Sequence, residues 1–88
     1  MYTTDEKAQI HWRCRRGMLE LDGFILGFFE HCFDQLSTQE QQDFVSLLEC
    51  SDLELFYWLM QREQSPRPAH QALIEKIIAH KRQHASQM

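Results

Sequence analysis

Apolar residues recur along the chain at steps of three and four, and polar punctuation cuts the pattern into five pieces. Ala8, Ile10, Trp12 and Cys14 fall in a first piece that closes on Arg15, Arg16 and Gly17. Cations suit a last helical turn and glycine tolerates the left-handed cap, so a helix is expected over 6–16. Met18, Leu21, Ile25, Phe28, Phe29, Cys32, Phe33 and Leu36 hold one stripe and predict the longest helix, over 18–35. Gly23 and Gly27 lie inside it on one face, where another backbone could approach closely. Ser37-x-x-Glu40 and Ser51-x-x-Glu54 are capping boxes, in which the serine hydroxyl accepts from a free helix amide and the glutamate reaches back; they open helices over 38–49 and 52–62.

Trp58 carries the apolar surface of that fourth helix almost round it, so the helix is either enclosed or offers aromatics to a partner. Ser65, Pro66, Arg67 and Pro68 form the clear linker, and Leu73, Ile74, Ile77 and Ile78 give a final helix over 69–83, with residues 85–88 expected to be disordered. Short connections between such helices imply an all-α fold, a compact five-helix bundle in a single domain over 1–88. Its expected core holds Leu21, Ile25, Phe28, Phe44, Leu48, Phe56 and Ile77.

Composition sharpens this reading in three ways. A single valine and three glycines stand among many Leu, Gln, Glu and Arg, which nearly excludes an all-β fold. No apolar run approaches the roughly 18 residues of a spanning helix, so direct membrane insertion is not expected. Residues 37–63 carry six acids and one base, whereas 64–88 carry one acid and four bases. An acidic middle opposes the counterion-displacing face that nucleic acid requires, and a protein partner is the better expectation. Cys14, Cys32 and Cys50 are odd in number and lack C-x-x-C spacing; with no secretory or transit-type N-terminus, they read as reduced thiols in the cytoplasm.

Candidate chemistry is sparse. His11-x-x-Cys14 and His80-x-x-x-His84 each place two ligands on one helical face, but structural zinc takes four and neither pair has evident companions; His80 and His84 read as a solvated last turn. Arg13 and Arg15 flank Cys14 and nearby cations can lower a thiol pKa, yet a small buried hydrophobe is the plainer reading. The segment His11-Trp12-Arg13-Cys14-Arg15-Arg16 alternates aromatic and basic residues, as a base-stacking surface does. A helix spreads those arginines over more than one face, which leaves a capped helix end with half-buried Trp12.

At the glycine-broken corner the sequence becomes distinctive. Ile10-x-Trp12-x-Cys14-Arg15-Arg16-Gly17-Met18-x-Glu20-Leu21-Asp22, followed by Leu47-Leu48-Glu49 and Asp52-x-x-Leu55-x-x-Trp58-Leu59, closely resembles the succinate dehydrogenase flavinylation (assembly) factor family, which takes in bacterial SdhE and the mitochondrial succinate dehydrogenase assembly factor 2. The resemblance spans about residues 6–62. It implies a five-helix bundle that binds the flavoprotein subunit of succinate dehydrogenase, and in bacteria often that of fumarate reductase, and promotes covalent attachment of FAD to a histidine of that subunit. Such a chain is a chaperone-like assembly factor and no enzyme: the FAD belongs to the partner, none is held firmly here, and the free protein is monomeric. The family's Arg-Gly-x-x-Glu signature falls on Arg16, Gly17 and Glu20, taken as the partner-binding surface, with Arg15, Trp12 and Asp22 matching beside it.

On that reading Arg16, Gly17 and Glu20 should be accessible and outside any complete internal ion-pair network. After the fourth helix, where many members have a glycine, this chain has Gln61-Arg62-Glu63. With no mitochondrial leader before the motif, a bacterial cytoplasmic member is expected. The alternative is an antitoxin of a toxin-antitoxin pair, which only the basic segment over 11–16 favours.

Overall fold

The computed structural model describes residues 2–85, and among them every regular element is helical: α1 Thr4–Arg13, α2 Leu19–Cys32, α3 Thr38–Leu47, α4 Asp52–Leu59 and α5 Pro68–Ala85, with a 3₁₀ turn Phe33–Gln35 after α2. The expected five-helix, all-α fold is what forms. Of the tail expected to be disordered, residues 86–88 lie outside the described residues, and Ala85 closes α5.

Serine and threonine boxes set three of the starts. Ser37 and Ser51 accept from the amides of Glu40 and Glu54, whose carboxylates take the serine amides in return. Thr3 and Glu6 make the same reciprocal pair, so α1 begins two residues before the expected start; the Thr3-x-x-Glu6 spacing carries that signal in the sequence. Pro68 opens α5, its missing amide costing nothing in a first turn. Ahead of it the Ser65 amide donates to Gln71 Oε1 at 2.8 Å and Arg67 to Ser65 Oγ at 3.3 Å, so side chains fasten the linker to the helix it feeds.

The ends of α1 to α4 come earlier than the apolar pattern implies, while α5 runs two residues past its expected end at 83. The expected α1 over 6–16 stops at Arg13, with Cys14 as its cap, and Gly17 stands further on in the connector. The expected α2 over 18–35 tightens into the 3₁₀ turn after Cys32, where Phe33 is still driven inward. α3 and α4, expected to reach 49 and 62, stop at Leu47 and Leu59. Beyond α4, Gln61 adopts φ +62°, while Gln61 and Arg62 donate to the carbonyls of Trp58 and Tyr57 at 3.1 and 2.9 Å. This is a Schellman closure with glutamine in the left-handed position that favours glycine. Gln61→Gly should therefore stabilise the protein by about 0.5–1 kcal/mol, read as a raised urea midpoint with unchanged slope.

α5 is the strut against which α2, α3 and α4 pack, while α1 lies on α2. Leu21, Ile25, Phe28, Phe44, Leu48 and Ile77 are buried as expected, together with Cys14, Leu55, Trp58 and Ile74. Phe56 is the exception, only half-buried. Leu55, Trp58 and Leu59 share the inward face of α4 at steps of three and four, and Phe56 falls one residue off it, toward Tyr57. Trp58 is thus enclosed, whereas Leu53 and Tyr57 face outward. Gly23 and Gly27 meet side chains of α5, Lys81 and His80, where a close backbone was expected.

His70 is buried with Nε2 2.9 Å from Ser46 Oγ, and burial, aided by the charge of Arg67, holds its pKa below the ordinary 6.5. His80 is shifted the same way, by burial and then by His84, His31 and Lys81. The unfolded chain then binds more protons than the folded one near pH 6.5, so this stability is complete above that pH and drains away as pH falls through it. The carboxyls of Glu6, bonded to Thr3, and Glu40, bonded to Lys76 and Ser37, sit below the ordinary 4.5 and bring a second loss at lower pH. Urea midpoints should be lower at about pH 5.5 than at about pH 7.5, and His70→Gln should lessen that difference.

Candidate functional site

The corner between α1 and α2 is built around Arg16. α1 tightens as it ends: the Cys14 amide donates to the carbonyls of both Ile10 and His11, and Arg15 to that of Trp12. The Arg16 amide then donates to Asp22 Oδ1 at 2.8 Å, so an acidic residue near the start of α2 holds the incoming backbone. Gly17 follows at φ +81°, exposed, and a Cβ there would meet nothing within 4 Å. Its glycine answers a backbone requirement alone, since any other residue is strained in that region.

The Arg16 side chain crosses from this corner to the one between α3 and α4. Its Nε donates to Asp52 Oδ1 at 2.7 Å, one terminal nitrogen to the Leu48 carbonyl at 2.8 Å, and the other to the Cys50 carbonyl at 2.7 Å. Leu48 caps α3 and Cys50 lies just beyond it, so the guanidinium satisfies carbonyls that the helix end leaves without amides, and Asp52 opens α4. A planar fork of donors suits several acceptors fixed in different directions, which a single ammonium could not all reach. The side chain is only 15% exposed. This corrects the expectation that Arg16 is an accessible group free of internal ion pairs: its best acceptors lie in its own chain. Asp22 is likewise engaged, by the Arg16 backbone, and is half-buried.

The other expected site residues face outward. Trp12, expected half-buried, is 72% exposed at the end of α1, because Ile10 and Cys14 take the inward face. Arg15 and Glu20 are exposed, and Leu19, at the first turn of α2, is 89% exposed. Leu19 was not among the expected site residues, although it stands off the stripe of Met18, Leu21 and Ile25, which signals an outward leucine. An exposed tryptophan and leucine on either side of one rigid bend, with Arg15 and Glu20 beside them, have the makings of a recognition surface.

Similarity to known proteins shows the family. The model of a family described as the flavinator of succinate dehydrogenase matches residues 8–81. The chain belongs to that family. Members similar to it include an FAD assembly factor SdhE of Vibrio vulnificus strain YJ016, 60% identical over 80 residues that make up 91% of this chain and 93% of the relative. An FAD assembly factor SdhE of Photobacterium profundum is 55% identical over 91% of each chain. The solution structure of a UPF0350 protein superposes with a TM-score of 0.80 at 49% identity, covering 98% of this chain and 92% of that one. Within this flavinator-family chain the signature residues divide the work: Arg16 faces inward as a brace, Gly17 sets the bend and Glu20 faces solvent.

Nucleophilic chemistry at the corner has no support in the geometry. Cys14 is completely buried, and that burial pushes its thiol up to about 12 although Arg16 and Arg13 pull the other way. At neutral pH the thiol keeps its proton. His11 lies over the Phe29 ring at 5.6 Å with Nε2 3.5 Å from Glu30 Oε2, which makes it part of the seam between α1 and α2. Burial also raises the thiols of Cys32 and Cys50, and all three cysteines are free.

Proposed function

We propose that this chain binds the flavoprotein subunit of succinate dehydrogenase and promotes covalent attachment of FAD to it, as an assembly factor in the bacterial cytoplasm. The reading rests on one observation above all: a family signature whose inward residue, Arg16, braces the bend that exposes Trp12, Leu19 and Glu20. Flavinylation needs a base, an electrophilic flavin and a nucleophile, and the flavoprotein with its bound FAD supplies these, so the helper only has to favour the productive conformation. A rigid corner suits that task, because a surface already held in shape loses little entropy when it docks.

The FAD stays with the partner in this reading. The groove between α4 and α5 sets Glu63 and Glu75 beside Arg82, a poor seat for a diphosphate. The flavoprotein of fumarate reductase is a second candidate partner, and the free helper is taken as a monomer. An antitoxin acting on nucleic acid is disfavoured, since Arg16 is drawn into the brace and leaves Arg13 and Arg15 as scattered surface charges.

Co-expression with the flavoprotein, followed by capture and in-gel flavin fluorescence, tests the proposal. Covalent flavin should depend on the chain. Glu20→Ala should change stability by less than about 1 kcal/mol, as surface charges do, while lowering capture of the flavoprotein. Equal flavinylation with and without the chain would end the proposal.

A further inference from the structure

His31, on the last turn of α2, meets His80 and His84 of α5, the i and i+4 pair that the sequence left without companions. One ring nitrogen from each of the three lies within 4.8 Å of the others, and His31 Nδ1 stands 3.2 Å from His80 Nε2. A tetrahedral zinc with bonds of about 2.0–2.1 Å spaces its nitrogens about 3.3–3.4 Å apart, so one edge of such a site is already set. The third nitrogen needs only rotation of an exposed ring, because His84 is open to solvent. We propose that His31, His80 and His84 form a binding site for a borderline divalent transition ion, of which Zn²⁺ is the probe, with the remaining coordination position held by water.

The surroundings favour this over a chance meeting of surface rings. Buried Phe28 presents itself edge-on to His80 at 5.8 Å and 87°, which fixes the orientation of the central ligand. His84 stacks on His31 at 5.0 Å and 17°, aligning the outer two. Lys81, next to His80 on α5, lies over the Phe24 ring at 5.8 Å, and Phe24 is two turns, about 10 Å, before His31 on α2. Three imidazole nitrogens select zinc, copper or nickel over magnesium and calcium, which demand oxygen. Bound metal would clip the end of α2 to α5 across a long loop, about 18 Å along α2 from the signature corner. The site is therefore independent of the flavoprotein-binding reading.

The test uses the full chain without any histidine tag. Titration with Zn²⁺ alone, followed by calorimetry, should give one ion per chain with a micromolar or tighter dissociation constant, and excess zinc should raise the melting temperature by about 5–10 °C. His31→Ala and His84→Ala replace exposed residues, fold without metal as judged by circular dichroism, and should each weaken binding at least about tenfold. His11→Gln should leave it unchanged. Only millimolar binding by the unaltered chain, or zinc affinity that survives both His31→Ala and His84→Ala because thiols or other histidines carry it, overturns the proposal.

Discussion

Arg16→Ala is expected to destabilise the isolated protein by about 2–4 kcal/mol, a large share of what a chain of this size has to spare. The substitution removes four charge-assisted hydrogen bonds at once, a longer one to the Arg13 carbonyl among them, and strands the carbonyls of Leu48 and Cys50 at the end of α3. Asp52 is 43% exposed and regains water, which keeps the loss below that of a fully buried ion pair. Arg16→Lys should recover only part of the stability, because a compact ammonium cannot span acceptors lying in three directions. Asp52→Asn, which leaves the carbonyl bonds in place, should be the mildest of the three. Urea denaturation of all three checks the order. A stable Arg16→Ala protein that nonetheless loses the flavoprotein would return Arg16 to the docking surface and remove the brace from the argument.

The division between Arg16 and Glu20 shows what the chain's pattern could and could not convey. Two helix starts were legible because their signals are local: Ser37 and Ser51 stand immediately before theirs with a glutamate three residues on, and Thr3 carries the same signal, which the expected start at 6 passed over. The inward stripe of Leu21, Ile25 and Phe28 was legible for the same reason, since periodicity is a property of one element. Helix ends were not, because they depend on partners elsewhere: the chain leaves α1 after Arg13 toward an Arg16 whose amide is fixed by Asp22 and whose guanidinium is fixed by α3 and α4. Three of the guanidinium's acceptors, on Arg13, Leu48 and Cys50, are backbone carbonyls, which leave no trace in residue identity. The motif therefore marked the corner that Arg16 braces but assigned that arginine the wrong direction. Phe56 was misplaced by one step of helical rotation, and His31 lies 49 residues from His80, beyond the reach of any spacing rule.

Gly17 offers the cleanest separation of shape from contact, since at φ +81° with no atom within 4 Å of a built Cβ its side chain would meet only solvent. Gly17→Ala and Gly17→Arg should carry the same backbone strain, about 1–2 kcal/mol, and melt about 4–16 °C below the unaltered protein by similar amounts. Alanine adds little to the surface and should preserve flavoprotein capture. Arginine places a long cation over the bend between Trp12 and Leu19 and should abolish both capture and the covalent flavin that follows from it. The thiol supplies the opposite control. Cys14→Ala, which avoids burying a hydroxyl, should support flavinylation once shown to fold, because the thiol it removes holds its proton up to about pH 12 and has no nucleophilic role to lose. Measured together, melting curves, capture and in-gel flavin fluorescence should place Gly17→Ala and Cys14→Ala among the active variants and Gly17→Arg alone among the inactive ones. A folded Cys14→Ala protein that captures the flavoprotein yet leaves it without covalent FAD would instead require a thiol step, and the conformational account of this corner would have to be abandoned.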